Sequence, residues 1–284
     1  MIAIKHAETG EVLERVDADT LQGADMREFR LAGADLSNLD LRLANLKHAD
    51  LRGADLRGAN LDHAILHGAQ LRNADMRGAS MIGVRAGADH RRDAADMHSC
   101  RLGDADLSHA DLRRVRLYQS DIRNARLAHV DLQAADVSEC NFSHADLRAA
   151  RLVDIDARRA NLQQADLRDA HLNGANLFEV DLQQADLTTE RVDGFSVVNL
   201  ANLRFANLRN ARLNGLWASE TDFSEADLSG ADLSHAVLSG SNMRHAILTD
   251  TDFDGVELVT VNLEFANVSA AKNADVPNNK QNLR

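Results

Sequence analysis

Large apolar residues recur at every fifth position, and this period governs what the chain can fold into. From Leu21 to Met81, the thirteen positions in steps of five are ten leucines and three methionines. With 44% hydrophobic residues overall, chance would give such a run only about once in 10⁵. The step resumes from Met97 to Leu187 over nineteen positions and from Leu203 to Val268 over fourteen, with Ala157 and Ala218 as its only small members. Two residues before each central leucine stands a small residue, usually alanine, and between them an Asp or Asn, as in Ala34-Asp35-Leu36 and Ala54-Asp55-Leu56. The unit is A-(D/N)-L-x-x.

Five matches neither the helical period of 3.6 nor the strand period of 2. A chain that bends every five residues, four sides to a turn, satisfies it. The leucine and the small residue then point inward, and successive coils stack about 4.8 Å apart, as strands do. The 46 repeats predict about 11.5 coils and a length of roughly 55 Å. Ala157 follows Ile155 and Ala218 follows Leu216, so at both exceptions the bulk has moved two places and summed volume is conserved. The Asp or Asn before each leucine has a structural use, because short polar side chains bond local backbone N–H groups at turns. No Ser-His-Asp spacing, phosphate-cradling glycine loop or CxxC is present, and the reading is non-enzymatic, with no cofactor and no metal.

Composition restricts the partners. A net charge of −12 argues against direct nucleic-acid binding, which needs cations to displace counterions, and against an anionic membrane surface. No apolar run approaches a membrane span and the N-terminus lacks a secretory core, so a cytoplasmic location is expected.

Runs such as 44–61, ANLKHADLRGADLRGANL, and 226–243, ADLSGADLSHAVLSGSNM, resemble the pentapeptide-repeat family over about residues 17–271. The resemblance implies an all-β fold, a right-handed quadrilateral β-helix. The members of that family include the Qnr and MfpA-type proteins, which mimic DNA and bind DNA gyrase. Those often carry Phe at the central position, whereas this chain does so only at Phe142, Phe223 and Phe253.

Residues 1–16, alternating around Thr9-Gly10, are predicted to form a β-hairpin capping the first coil. Residues 82–94 fit no register and are predicted to leave the coil as a loop, while 188–200 form a second irregularity. The Asn- and Lys-rich segment 272–284 is expected to be a disordered tail.

Several groups stand out as candidates. Cys100 and Cys140 occupy the small inward position two coils apart, about 9.6 Å, too far for a disulfide that needs roughly 7 Å or less. His109 and His129 lie one coil apart on a flat wall, which supplies no concave metal site. Tyr118 and Phe178 both follow a core leucine 60 residues apart, and with Trp217 they would make an aromatic face, provided that a one-residue slip near 200 brings Trp217 into line. Loop residues Arg85, His90, Arg91 and Arg92 make a charged projection of the kind that carries recognition.

Charge is uneven. Segment 213–270 holds ten acids, Glu220, Asp222, Glu225, Asp227, Asp232, Asp250, Asp252, Asp254, Glu257 and Glu264, against Arg244 alone. That is one net charge per roughly 1.5 Å of rise, close to the roughly 1.7 Å of duplex DNA. Asp232 and Asp252 are expected to face each other across adjacent coils. The expected function is a rigid scaffold that binds a protein partner through its walls. The alternative is a DNA mimic engaging a type II topoisomerase such as gyrase, as resistance or immunity to its poisons.

Overall fold

The structure, a computed structural model, describes residues 1–189 and 194–276. It contains two compact units, Met1–Ala145 and Asp146–Arg284. Both are wound as a right-handed quadrilateral β-helix in which the chain turns a corner every five residues and meets itself again 20 residues on, as at Asn45↔Ile65 in the first unit and Asp232↔Asp252 in the second.

One pentapeptide, Ala44-Asn45-Leu46-Lys47-His48, shows why. Its five N–H groups all need acceptors. The Ala44 N–H donates to the Leu41 carbonyl at 3.0 Å, closing the corner, and the Asn45 N–H donates to Ala24 of the preceding coil at 2.9 Å. Leu46 and His48 donate to Ile65 and His67 of the following coil at 2.8 and 3.0 Å. That leaves the Lys47 N–H, which the Asn45 side chain accepts at 3.3 Å. Asp or Asn before the leucine therefore takes the one amide that neither the corner nor the ladder can reach. At two positions where the ladder residue is not Asp or Asn, a neighbouring coil substitutes. The Ile82 N–H, with Ser80 before it, finds Asp62 Oδ1 at 3.0 Å, and the Ser219 N–H, behind Trp217, finds Asn199 Oδ1 at 2.7 Å.

The alanines and leucines fill the interior, where residues such as Ala44, Leu46, Ala64 and Leu66 have no exposed surface. Where the small position is polar, its donor is satisfied: the Ser120, Thr221 and Thr251 hydroxyls donate to the carbonyls of Met97, Val198 and Leu228 at 3.0, 2.7 and 2.8 Å.

The residue two after the central leucine takes the left-handed conformation at most corners, with φ between +53° and +71°, though not at Thr189 or Thr260. With positive φ confined to the third turn residue, the corner is a type II turn. Non-glycine residues bear this strain at many corners, among them Leu43 at φ 61° and Leu200 at φ 60°.

The two irregularities are one device. Partners are 26 residues apart at Gln70↔Asp96 and His171↔Val197 but 20 apart again at Asp96↔Arg116 and Val197↔Trp217, so each inserts six residues at one corner and leaves every later position on its face. The predicted loop 82–94 is therefore too long. Residues 82–86 keep register, with Val84 and Ala86 both fully buried, because bulk has again moved two places. The chain departs at 87–94, which contains a single 3₁₀ turn, Arg91–Asp93. Its neck is closed by the Ala95 N–H on the Ala86 carbonyl at 2.8 Å. The irregularity expected at 188–200 likewise ends early, since Val198 is a fully buried central residue; positions 190–193 of that prediction lie outside the described residues.

At the N-terminus, β1 (Ile2–Lys5) and β2 (Val12–Val16) pair antiparallel, burying Ile4 and Val16. The hairpin joins the coil through Ala7 N–H to Gly33 O and Asp35 N–H to Lys5 O, both 2.8 Å. Glycine suits position 33, with its φ of +68° and with the His6 ring packed where a Cβ would lie, 2.4 Å from Nε2. At the other end Lys272 still pairs with Asp252, and Asn273 adopts the corner conformation, so the coil outlasts the predicted start of the tail at 272. The rest of that tail, 277–284, lies outside the described residues.

Corner strain gives a paired prediction. Leu43→Gly relieves a left-handed Leu, about 1–2 kcal/mol, against about 0.5–1 kcal/mol of added chain entropy, and is expected to raise stability by up to about 1 kcal/mol. Gly53→Val, at φ +65° with nothing within 4 Å of the new Cβ, is expected to lower it by about 1–2 kcal/mol. Chemical denaturation of the two variants measures both.

Candidate interaction surfaces

The ladder aspartates do more than bond backbone. In Asp55-Leu56-Arg57, Oδ1 accepts the Arg57 N–H at 3.1 Å and Nε at 2.8 Å, while Oδ2 takes Nη2 at 2.5 Å. The Arg57 guanidinium holds the Asp55 carboxyl below its ordinary range, against the opposing effect of burial. The same D-x-R fork recurs at Asp25/Arg27, Asp40/Arg42, Asp50/Arg52, Asp75/Arg77 and Asp121/Arg123 in the first unit, and at Asp146/Arg148 and Asp156/Arg158 in the second. Exposed pairs of this kind add under about 1 kcal/mol each. Their larger effect is to cancel charge along the wall.

Beyond residue 212, serine replaces that arginine. The Ser224, Ser229 and Ser234 hydroxyls donate to Oδ1 of Asp222, Asp227 and Asp232 at 2.6, 2.5 and 2.6 Å, which satisfies the carboxylates without neutralising them. Arg204, Arg209 and Arg244 reach Asp222, Asp227 and Glu264 at 3.9, 3.6 and 3.4 Å. Among the described residues, Glu220, Glu225, Asp232, Asp250, Asp252, Asp254 and Glu257 have no such arginine or lysine partner within 4.0 Å.

The expected Asp232–Asp252 juxtaposition is present, but Arg212 and Lys272 bracket it in the same ladder. Asp252 is held below the ordinary carboxylate range by the Asn273 amide first and the Asp254 N–H second. The acids occupy all four faces: Asp222, Glu225 and Glu264 lie along one, Asp227 and Asp250 on the next, Asp232, Asp252 and Asp254 on the third, Glu220 and Glu257 on the fourth.

The aromatic face needs correcting. Tyr118 and Phe178 are half-buried, Tyr118 stacked on His98 with ring centroids 4.6 Å apart and Phe178 edge-on to Phe205 at 5.5 Å. They lie in different units. Trp217 does not join their face. It is a ladder residue between Val197 and Val237, and because the insertion is six residues long rather than the expected one, that ladder runs back to His171 and not to Asn176 beside Phe178. What the second unit exposes is another set: Phe195 stacks on Trp217 at 4.6 Å, and both remain exposed at 38% and 45%, next to Val237 at 40%. Phe195 was the missed member; its place beside Trp217 depends on the insertion length, which the five-residue period cannot supply.

Of the four cationic residues expected in the loop, Arg85 is instead in the ladder between Ile65 and Asp111. Arg91 pairs with Asp136 at 2.9 Å and Arg92 contacts Asp93 at 3.7 Å, while His90 is exposed. A further tether joins Asp89 to Arg113 at 3.1 Å. Under the loop lies a cleft of about 530 Å³ that also reaches Lys47, His48 and His67.

At the foot of the insertion, Asp96 is buried and accepts Arg72 Nε and His98 Nδ1, both at 2.8 Å, with Arg116 Nη2 at 3.4 Å. Burial alone would raise this carboxyl, but those donors outweigh it and hold it below its ordinary value. The thiols are buried and free, donating to the carbonyls of Leu71 and Leu117 at 2.9 Å. Burial pushes Cys140 up to about 12 and Cys100 higher still. His109 and His129 stack with centroids 4.9 Å apart. Among the described residues no cluster of His, Cys, Asp and Glu could hold a metal, and no helix is long and apolar enough to cross a membrane.

Asp96→Ala is expected to cost about 2–3 kcal/mol by leaving its donors unpaired. With a depressed folded-state value, the unfolded chain takes up the proton first on acidification, so the Asp96 contribution is complete above about pH 4 and is lost as pH falls further. Acid unfolding of the variant should accordingly show a shallower loss across that window. Native Cys100 and Cys140 should resist alkylation by iodoacetamide and react fully in denaturant, a contrast that mass spectrometry reads directly.

The pentapeptide-repeat family model matches in eight copies, over residues 20–53, 40–78, 93–127, 125–164, 158–189, 201–240, 226–264 and 237–272. A comparison with curated proteins finds no match. Among solved structures, the chain is similar to HetL, a pentapeptide repeat protein involved in heterocyst differentiation regulation in the cyanobacterium Nostoc sp. strain PCC 7120, at 30% identity over 82% of this chain and 88% of that one, TM-score 0.31. It is also similar to full-length QnrB1, a plasmid-mediated fluoroquinolone resistance protein, at 17% identity over 79% and 92%, TM-score 0.26. A third is Rfr23 from the cyanobacterium Cyanothece 51142, at 23% identity over 48% and 58%, TM-score 0.19. With its repeats matched over most of its length and its coil wound as the repeat requires, the chain belongs to the pentapeptide repeat family.

Proposed function

We propose that this protein is a non-catalytic scaffold that binds a protein partner through the Phe195–Trp217–Val237 surface of its second unit. The observation that carries this reading is the Phe195–Trp217 stack: Phe205 and Phe265 are as exposed, but they meet a half-buried phenylalanine edge-on and an imidazole, whereas here two exposed apolar rings lie face to face beside exposed Val237. Aromatic rings with little rotamer freedom are the usual anchors of protein interfaces. Trp217 is the sole tryptophan, so its fluorescence reports on this surface alone. Affinity capture with the full chain, against a Phe195→Ser/Trp217→Ser/Val237→Ser variant of matched thermal stability, tests it. A partner retained by the wild type, lost by the variant, and shifting Trp217 emission to the blue is the expected result; equal capture by both chains would defeat the reading.

A second reading rests on the seven carboxylates without a cationic partner. They would suit a partner that ordinarily grips nucleic-acid phosphates, such as a type II topoisomerase. A gyrase supercoiling assay at two salt concentrations, with and without a fluoroquinolone, separates the readings. Inhibition or protection that weakens with salt and disappears in Asp232→Asn/Asp252→Asn/Asp254→Asn favours the acidic coils. Absence of any effect at micromolar protein favours the aromatic surface.

A further inference from the structure

We infer that the cleft beneath residues 87–94 is a binding site for a small molecule carrying a phosphate group. The insertion turns one flat wall of the first unit into a concavity of about 530 Å³, within the usual size range of small-ligand sites. Its roof is held in place. The Gly87 N–H donates to Asp111 O at 2.8 Å, and a Cβ at Gly87 would lie 2.4 Å from the Arg113 backbone nitrogen, so only glycine lets the loop leave so close to the wall. Asp89–Arg113 and Arg91–Asp136 tie down the loop beyond it.

The charges in the cleft are unequal in their commitments. Its three acids are engaged: Asp111 is forked by Arg113 at 2.9 Å, Asp89 reaches the same guanidinium, and Asp93 lies by Arg92. Its other two cations are not. Lys47 and Arg85 have no carboxylate within 4.0 Å among the described residues, in a wall where arginine is usually forked to its own aspartate. The reason is local: Lys47 follows Asn45 and Arg85 is itself a ladder residue, so neither has the D-x-R partner. His48, His67 and His90 line the same space, and Nδ1 of His67 is buried without a hydrogen-bond partner. Two uncommitted cations and three imidazoles in one concavity form a donor set for a phosphate dianion. Among the described residues these imidazoles form no group that could hold a metal ion.

Titration calorimetry of the full-length protein with inorganic phosphate at low ionic strength tests this. Saturable 1:1 binding is expected, weakened at least tenfold by Lys47→Ala and by Arg85→Ala. Arg30→Ala, an exposed cation on the same unit that does not line the cleft, should leave it unchanged, and circular dichroism should show all three variants folded. A second arm uses glycerol phosphate: binding at least as tight as phosphate assigns the site to a phosphate ester, and exclusion assigns it to the free ion. The inference fails if neither probe saturates, if Lys47→Ala and Arg85→Ala bind as wild type, or if Arg30→Ala loses as much affinity as they do.

Discussion

Everything in this fold depends on the fate of one amide per pentapeptide. Four of the five N–H groups are satisfied by the corner and by the coils on either side; the fifth points where no backbone carbonyl can reach. The Asp or Asn oxygen closes the ring to the residue two ahead, and before Leu21 the Thr20 hydroxyl does the same for the Gln22 N–H at 3.1 Å. The repeat therefore favours an Asx residue beside the central leucine, and at Ser80 and Trp217, where it is missing, an oxygen from the adjoining coil takes the amide instead. Stability here is mostly local bonding and a narrow Ala/Leu interior rather than a broad aromatic core.

That requirement also sets the surface field. Wherever the structural role falls to Asp rather than Asn, the coil gains a carboxylate, and the residue two after it decides whether that charge is cancelled. Arginine there folds back and cancels the carboxylate; serine there satisfies it and leaves it charged. The acidity of 213–270 comes from the loss of arginine two after the aspartates, as at Ser224, Ser229 and Ser234, together with four glutamates, Glu220, Glu225, Glu257 and Glu264. The aspartates themselves are no denser there.

The period, the inward pair, the Asx role and the size exchange at Ala157 and Ala218 were all readable from residue order, because each repeats dozens of times and each violation is compensated within three residues. The insertions were not. Val84-Arg85-Ala86 hides the same exchange, and a gap of sixteen residues between Met81 and Met97 can be split into a regular repeat and an eleven-residue side in more than one way. Only the pairing of Gln70 with Asp96 settles the choice. Misjudging the second insertion moved Trp217 to the wrong position and concealed Phe195. Exposure of Tyr118 and Phe178 was overestimated because each ring packs on another, His98 stacked and Phe205 edge-on, and such neighbours emerge only once coils are aligned. The cleft under 87–94 was invisible for the same reason, since Lys47 and Arg85 are 38 positions apart in the chain.

An insertion of six residues at a corner leaves the address of every later residue intact. Length change is thus uncoupled from register, a separation that ordinary sheets lack, where a one-residue slip turns every side chain over. A corner can consequently be lengthened, exchanged or given a foreign segment while the ladder beyond it keeps its faces, so that new recognition can be acquired one corner at a time without renegotiating the core.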